Sequence, residues 1–137
     1  MTRSFVLAVL AVVPMSSVAR AEEPKVTPTV DLSSSLDDLV LMREAPVNGV
    51  IVSQKAWERL AAAWSIKEVP KVDFTKEILI IGTHRGSSFK FLMEVKNSDL
   101  TVELVGDKEI KPGFRYKIVS VQRNGIKTVN GKELPKE

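Results

Sequence analysis

No cysteine occurs anywhere in the 137-residue chain. That absence excludes structural disulfides, thiolate-bound metals, a thiol nucleophile and a lipid-modified cysteine. Histidine occurs once, at His84, and Asp37-Asp38 is a carboxylate pair without supporting neighbours, so no set of converging metal ligands can be read. The seven glycines are isolated or sit in Asn-Gly turns. No phosphate-cradling loop results, and neither a cofactor nor a metal is expected. No Gly-x-Ser-x-Gly elbow, internal repeat, heptad or low-complexity block is present. Aromatic residues make up 6% of the chain, few for the stacking platform of a single-strand binder, so nucleic acid is not an expected partner.

The N-terminus is more informative. Arg3, the apolar run Phe5 to Val13 and the ending Ala19-Arg20-Ala21 have the pattern of an export signal over residues 1–21. The run is too short to span a bilayer, so no membrane anchor is expected. The implied location is the bacterial periplasm or the medium, with a mature chain starting at Glu22. Removing 21 of the 137 residues leaves 116, enough for one domain that buries about two-thirds of its unfolded surface. It also removes Arg3 and Arg20, so the net charge drops from +3 to +1.

From Glu22 to Ser35, Pro24, Pro28 and Ser33-Ser34-Ser35 read as a flexible leader, which leaves residues 36–137 as the folded domain. Leu36 to Glu44 is ambiguous between helical spacing and a short strand beside Gly49 to Ser53, and the strand is preferred. Ser53 is an apt N-cap for a helix from Gln54 to Trp64, with Trp57, Leu60, Ala61 and Trp64 on one stripe. Beyond Pro70 the periodicity changes to two. Ile78-Leu79-Ile80-Ile81 reads as a central strand covered on both faces, and Phe89 to Lys96 turns at Asn97-Ser98 into Leu100 to Leu104. In Phe114 to Arg123 the apolar parity shifts near Ile118, which implies either a bulge or burial on both sides. Asn124-Gly125 and Asn130-Gly131 are hairpin signals that would fold Ile126 to Val129 back on Tyr116 to Gln122, with a last strand through Leu134. The expected architecture is α+β, one amphipathic helix packed on a mostly antiparallel twisted sheet of five to seven strands. Its expected core includes Trp57, Leu60, Trp64, Phe74, Ile78, Ile80, Phe91 and Tyr116.

Val50-Ile51-Val52-Ser53 leading to Trp57 and Leu60, then Pro70-Lys71-Val72-Asp73-Phe74 and the strand Ile78 to Ile81, resembles the C-terminal domain of the protease-complex subunit PrcB. The likeness extends over Val50 to Val95. It implies an exported domain without catalysis that accompanies and stabilises a secreted protein. Without the attachment cysteine of anchored members, it implies a free rather than a tethered relative.

Chemistry-bearing residues gather in one segment, Thr83-His84-Arg85-Gly86-Ser87-Ser88. A serine nucleophile there would need His84 as base and an orienting carboxylate, which Asp73 or Glu77 could supply if the loops meet. Charge is polarised: residues 22–50 carry six acids against two bases, and residues 108–137 eight bases against three acids. Arg115, Lys117 and Arg123 share strand parity and could form a basic stripe with Arg85, a seat for an acidic partner, or could simply guard exposed strands. The expected function is therefore a noncatalytic binding or accessory module that holds a protein or acidic polymer through His84, Arg85, Ser87, Ser88, Arg115, Lys117 and Arg123. The alternatives are a small hydrolase built on His84 with Ser87 or Ser88, and a protease inhibitor presenting Arg123-Asn124-Gly125.

Overall fold

The run Ile78-Leu79-Ile80-Ile81 lies at the centre of the molecule in a computed structural model, which describes residues 29–136. The expected export signal lies outside the described residues. Eight strands are formed: β1 (Asp31–Leu36), β2 (Val50–Ile51), β3 (Glu77–His84), β4 (Phe89–Lys96), β5 (Asp99–Gly106), β6 (Phe114–Gln122), β7 (Thr128–Val129) and β8 (Lys132–Glu133). Among the described residues one α-helix, α1 (Gln54–Ala63), accompanies them. The class is α+β, but the strands divide into two four-stranded sheets, ordered β1-β6-β3-β2 and β4-β5-β7-β8. All pairings are antiparallel except β5 with β7.

Three layers result, because β3 and the later half of β6 are apolar on both faces. Leu79, Ile81, Phe114, Tyr116 and Ile118 point to α1 and pack with Trp57, Leu60 and Trp64. Ile78, Ile80 and Val121 point the other way and meet Leu100, Ile126 and Val129 of the second sheet region. The parity shift in β6 is therefore double-sided burial and not a bulge: its register with β3 is unbroken from Glu77↔Gln122 to His84↔Arg115. Ser120, on the helix-side face, is buried because its hydroxyl accepts from Val30 N at 2.8 Å while its own N–H donates to Val30 O at 2.9 Å.

α1 starts where Ser53 caps it, its side chain accepting from Ala56 N at 3.2 Å. Trp57 and Trp64 are buried, and each indole N–H has a partner: Trp57 Nε1 donates to Pro70 O at 3.1 Å and Trp64 Nε1 to Leu41 O at 2.8 Å. Trp64 also stacks on Tyr116 and meets Phe114 edge-on, with centroids 4.8 and 5.6 Å apart. Phe74 and Phe91 sit half-buried at the margins of the core.

Three expectations need correction. Residues 31–36 are strand and not leader: β1 pairs with β6 along its whole length and buries part of Leu32 and Leu36, so the domain starts before residue 36. Backbone pairing outweighs the serine-rich composition there. Leu39–Glu44 is a 3₁₀ helix and not a strand. Asp38 caps it, accepting from Val40 N, and the chain must cross roughly 14 Å of sheet from the β1 edge to the β2 edge, which it does over the helix-side face. Lastly, residues 126–129 do not return to β6. Gly125 has φ +83° while Asn124 stays at negative φ, so the turn is not the doubly left-handed hairpin type, and the chain passes to β5 instead. Asn130-Gly131 does have both positive angles, +49° and +77°, and joins β7 to β8.

Candidate functional site

At the end of β3 the sheet presents two rows across three strands on the face opposite α1: Ser35–Arg115–His84 and Ser33–Lys117–Gly82. The second sheet covers only the β3 end of this face, where Phe91 reaches Gly82; a Cβ there would lie 2.7 Å from the phenyl Cζ. The β1 side is left open. An open groove of about 400 Å³ runs there, with Ser33, Ser34 and Ser35 on one wall, Ser87 and Ser88 on the other, and Phe89, Arg115 and Tyr116 between.

The Ser87 wall is organised by one carboxylate. Asp107 Oδ1 accepts from Ser87 N at 3.1 Å, and Oδ2 from Ser87 N and Ser88 N at 3.2 and 3.3 Å and from the Ser87 hydroxyl. His84 Nε2 lies 3.3 Å from Oδ1. The Ser87 hydroxyl above all, then His84 and the two backbone N–H groups, pull the Asp107 carboxyl from 3.8 to about 2, against an opposing effect of desolvation. Gly86 and Gly106 make the approach possible: a methyl on Gly86 would overlap Asp107 Oδ1, and one on Gly106 would sit 2.6 Å from His84 Nε2. Arg115 Nε closes the turn from the sheet side, donating to Ser87 O at 3.0 Å.

Neither the family models, the curated proteins nor the solved structures contain a match to the chain. In a serine nucleophile the imidazole stands between hydroxyl and carboxylate. Here Asp107 stands in the middle: hydroxyl and imidazole both point at it, and no bond joins His84 to either serine among the described residues. A hydroxyl donating to a carboxylate is held, not activated. The carboxylates suggested from sequence are elsewhere. Glu77 is buried at the far end of β3, about 23 Å along the strand, and accepts from the Thr29 hydroxyl. Asp73 caps its own turn, accepting from Thr75 N at 3.1 Å and from the Thr75 hydroxyl, which with the backbone bond lowers its pKa.

Of the sequence-derived site residues, His84, Ser87, Ser88, Arg115 and Lys117 come together. Arg85 is exposed in the same turn, its carbonyl accepting from Lys111 N at 2.8 Å. Arg123 does not join them. It follows the other end of β6, where its guanidinium donates to Phe74 O at 2.8 Å, so it is neither part of a basic stripe nor presented at a hairpin tip. Asp107 was missed, yet its signal existed: a hairpin turning at Asn97-Ser98 sets Phe89 opposite Gly106 and so brings Asp107 beside Ser88. Among the described residues, no three His, Asp or Glu side chains gather as metal ligands, and no helix is long and apolar enough to cross a membrane.

Proposed function

We propose that the chain is an exported, noncatalytic binding module that holds an acidic segment of a partner protein in the groove between β1 and the Ser87 turn. One observation carries this reading. Arg115 and Lys117 stand side by side on the open half of the sheet, half-buried, and among the described residues neither has a carboxylate within 4.0 Å. Serine hydroxyls line both walls beside them, and an extended acidic strand laid along β1 would meet the hydroxyls of Ser33, Ser35 and Ser88 next to the two cations. The turn is already fixed by Asp107, so binding orders little that is not ordered beforehand. Export rests on the pattern of residues 1–21, and a protein rather than a small molecule on the resemblance of Val50 to Val95 to the PrcB C-terminal domain.

The test is calorimetric titration of the purified chain with a short polyglutamate peptide at several salt concentrations. Affinity should fall as salt rises, and the double substitution Arg115→Ala with Lys117→Ala should weaken binding by about tenfold or more. Equal binding by the double variant would overturn the reading. So would ester or peptide hydrolysis that disappears in Ser87→Ala.

A further inference from the structure

β4 is the outermost strand of the second sheet, with β5 on one side and, among the described residues, no strand on the other. Its register with β5 is unbroken over eight residues and contains no proline. Long, regular and uninterrupted edges are what soluble proteins usually avoid or cover. This one also carries exposed apolar side chains, with Leu92 48%, Met93 40% and Val95 48% accessible.

The direction of its free backbone groups follows from the turn. Lys96 and Asp99 close the two-residue turn at Asn97-Ser98, so even-numbered residues of β4 bond to β5, and Phe89, Phe91, Met93 and Val95 direct N–H and C=O outward. The far side of β5 agrees: Leu100 and Val102, opposite Val95 and Met93, bond away from β4, to Asn130.

We propose that this edge pairs antiparallel with the same edge of a second copy, centred on Leu92, to give a two-fold dimer with one continuous sheet. Registers that keep the apolar side chains on one face pair odd residues with odd and even with even. Only the charges choose among them. Centring on Leu92 sets Lys90 against Glu94 of the second copy, and Glu94 against its Lys90, on the outer face. On the inner face the same register sets Phe91 against Met93 and Phe89 against Val95, each with its outward backbone groups matched. Centring on Met93 would oppose Lys90 to Lys96, and centring on Glu94 would oppose that residue to itself. Centring on Phe91 would leave Lys90 against Leu92. The strand is thus self-complementary in charge and hydrogen bonding in one register, which fits a second copy better than a foreign strand.

Sedimentation equilibrium of the purified chain tests this. The wild type should form a dimer, and either Lys90→Glu or Glu94→Lys alone should weaken it by about tenfold or more, since each puts two like-charge pairs face to face. The two substitutions together should restore it. Met93→Pro removes an outward N–H without touching the β5 ladder and should give a folded monomer. Leu92→Cys, the sole thiol in such a chain, would lie about 4.5 Å from its symmetry mate and should oxidise to a linked dimer, whereas Lys90→Cys should not. A wild type that stays monomeric at all concentrations overturns the proposal and leaves the edge to a foreign strand. A dimer indifferent to Met93→Pro, or one not restored by the double charge exchange, overturns it as well.

Discussion

Asp107 shows how much of a local structure one carboxylate can determine. It satisfies two backbone N–H groups and a hydroxyl in the Ser87-Ser88 turn and touches the imidazole that ends β3, tying the exit of one sheet to the entry of the other. Its carboxyl titrates at about 2 instead of 3.8, so the folded state binds its proton more weakly than the unfolded chain. The contribution is therefore complete above about pH 4 and is lost as pH falls through 2. Urea denaturation at pH 5 and at pH 2 should show Asp107→Asn less stable than wild type at the higher pH, and the two closer together at the lower. A constant gap between them would mean that Asp107 acts through shape rather than charge. The polar cluster from His84 to Ser88 was readable because it follows an apolar strand directly. Its organiser lies some twenty residues further along and becomes visible only when the β4–β5 pairing is drawn out residue by residue.

At the level of elements, legibility tracked how local the determining physics is. α1 could be placed because its cap, its stripe and its alanines all lie within a dozen residues, and the structure adds only the partners of the two indole groups. β1 could not, since nothing in Asp31–Leu36 announces a strand; the unpaired edge of β6 recruits it from about eighty residues away. β7 was misplaced because an Asn-Gly pair specifies a hairpin only if both residues adopt positive φ, and Asn124 does not. The contrast predicts how variants rank. Trp57→Ala removes a side chain with no exposure and frees Pro70 O, and should cost about 3–5 kcal/mol. Arg123→Ala loses one charged hydrogen bond at the sheet margin and should cost about 1.5 kcal/mol. Guanidinium denaturation followed by tryptophan fluorescence through Trp64, and by circular dichroism, measures both. Equal midpoints for the two would mean that α1 does not anchor the domain.

The whole molecule depends on one chain crossing between sheets with very little room. Gly82 sits in the middle of the shared face, and the ring of Phe91 occupies the space where its side chain would be, with Leu104 Cδ1 3.1 Å from the same point. The apolar side of the β4–β5 hairpin therefore comes closest to the first sheet at this bare position, with Phe89 beside His84 at the strand end. Leu100, Val102 and the β7 region complete the contact, while Met93, Val95 and Leu104 remain over a third exposed. The helix-side core is independent of that contact, because its members come from α1, the strands of the first sheet, the 3₁₀ segment and residues 64–74, with none from β4 or β5. Gly82→Val should consequently act on one half of the protein. The valine collides with Phe91, lifts the hairpin and costs about 1–3 kcal/mol, in the range of overpacked cores. Amide exchange should quicken across β4 and β5 while β3 and β6 keep most of their protection, because their own pairing and the packing on α1 are untouched. A further change, Phe91→Ala in the Gly82→Val background, should recover part of the loss by vacating the contested volume, a coupling measurable as a double-mutant cycle. Uniform loss of protection through both sheets would show instead that the two layers fold as one unit and that the helix-side core cannot stand without the hairpin.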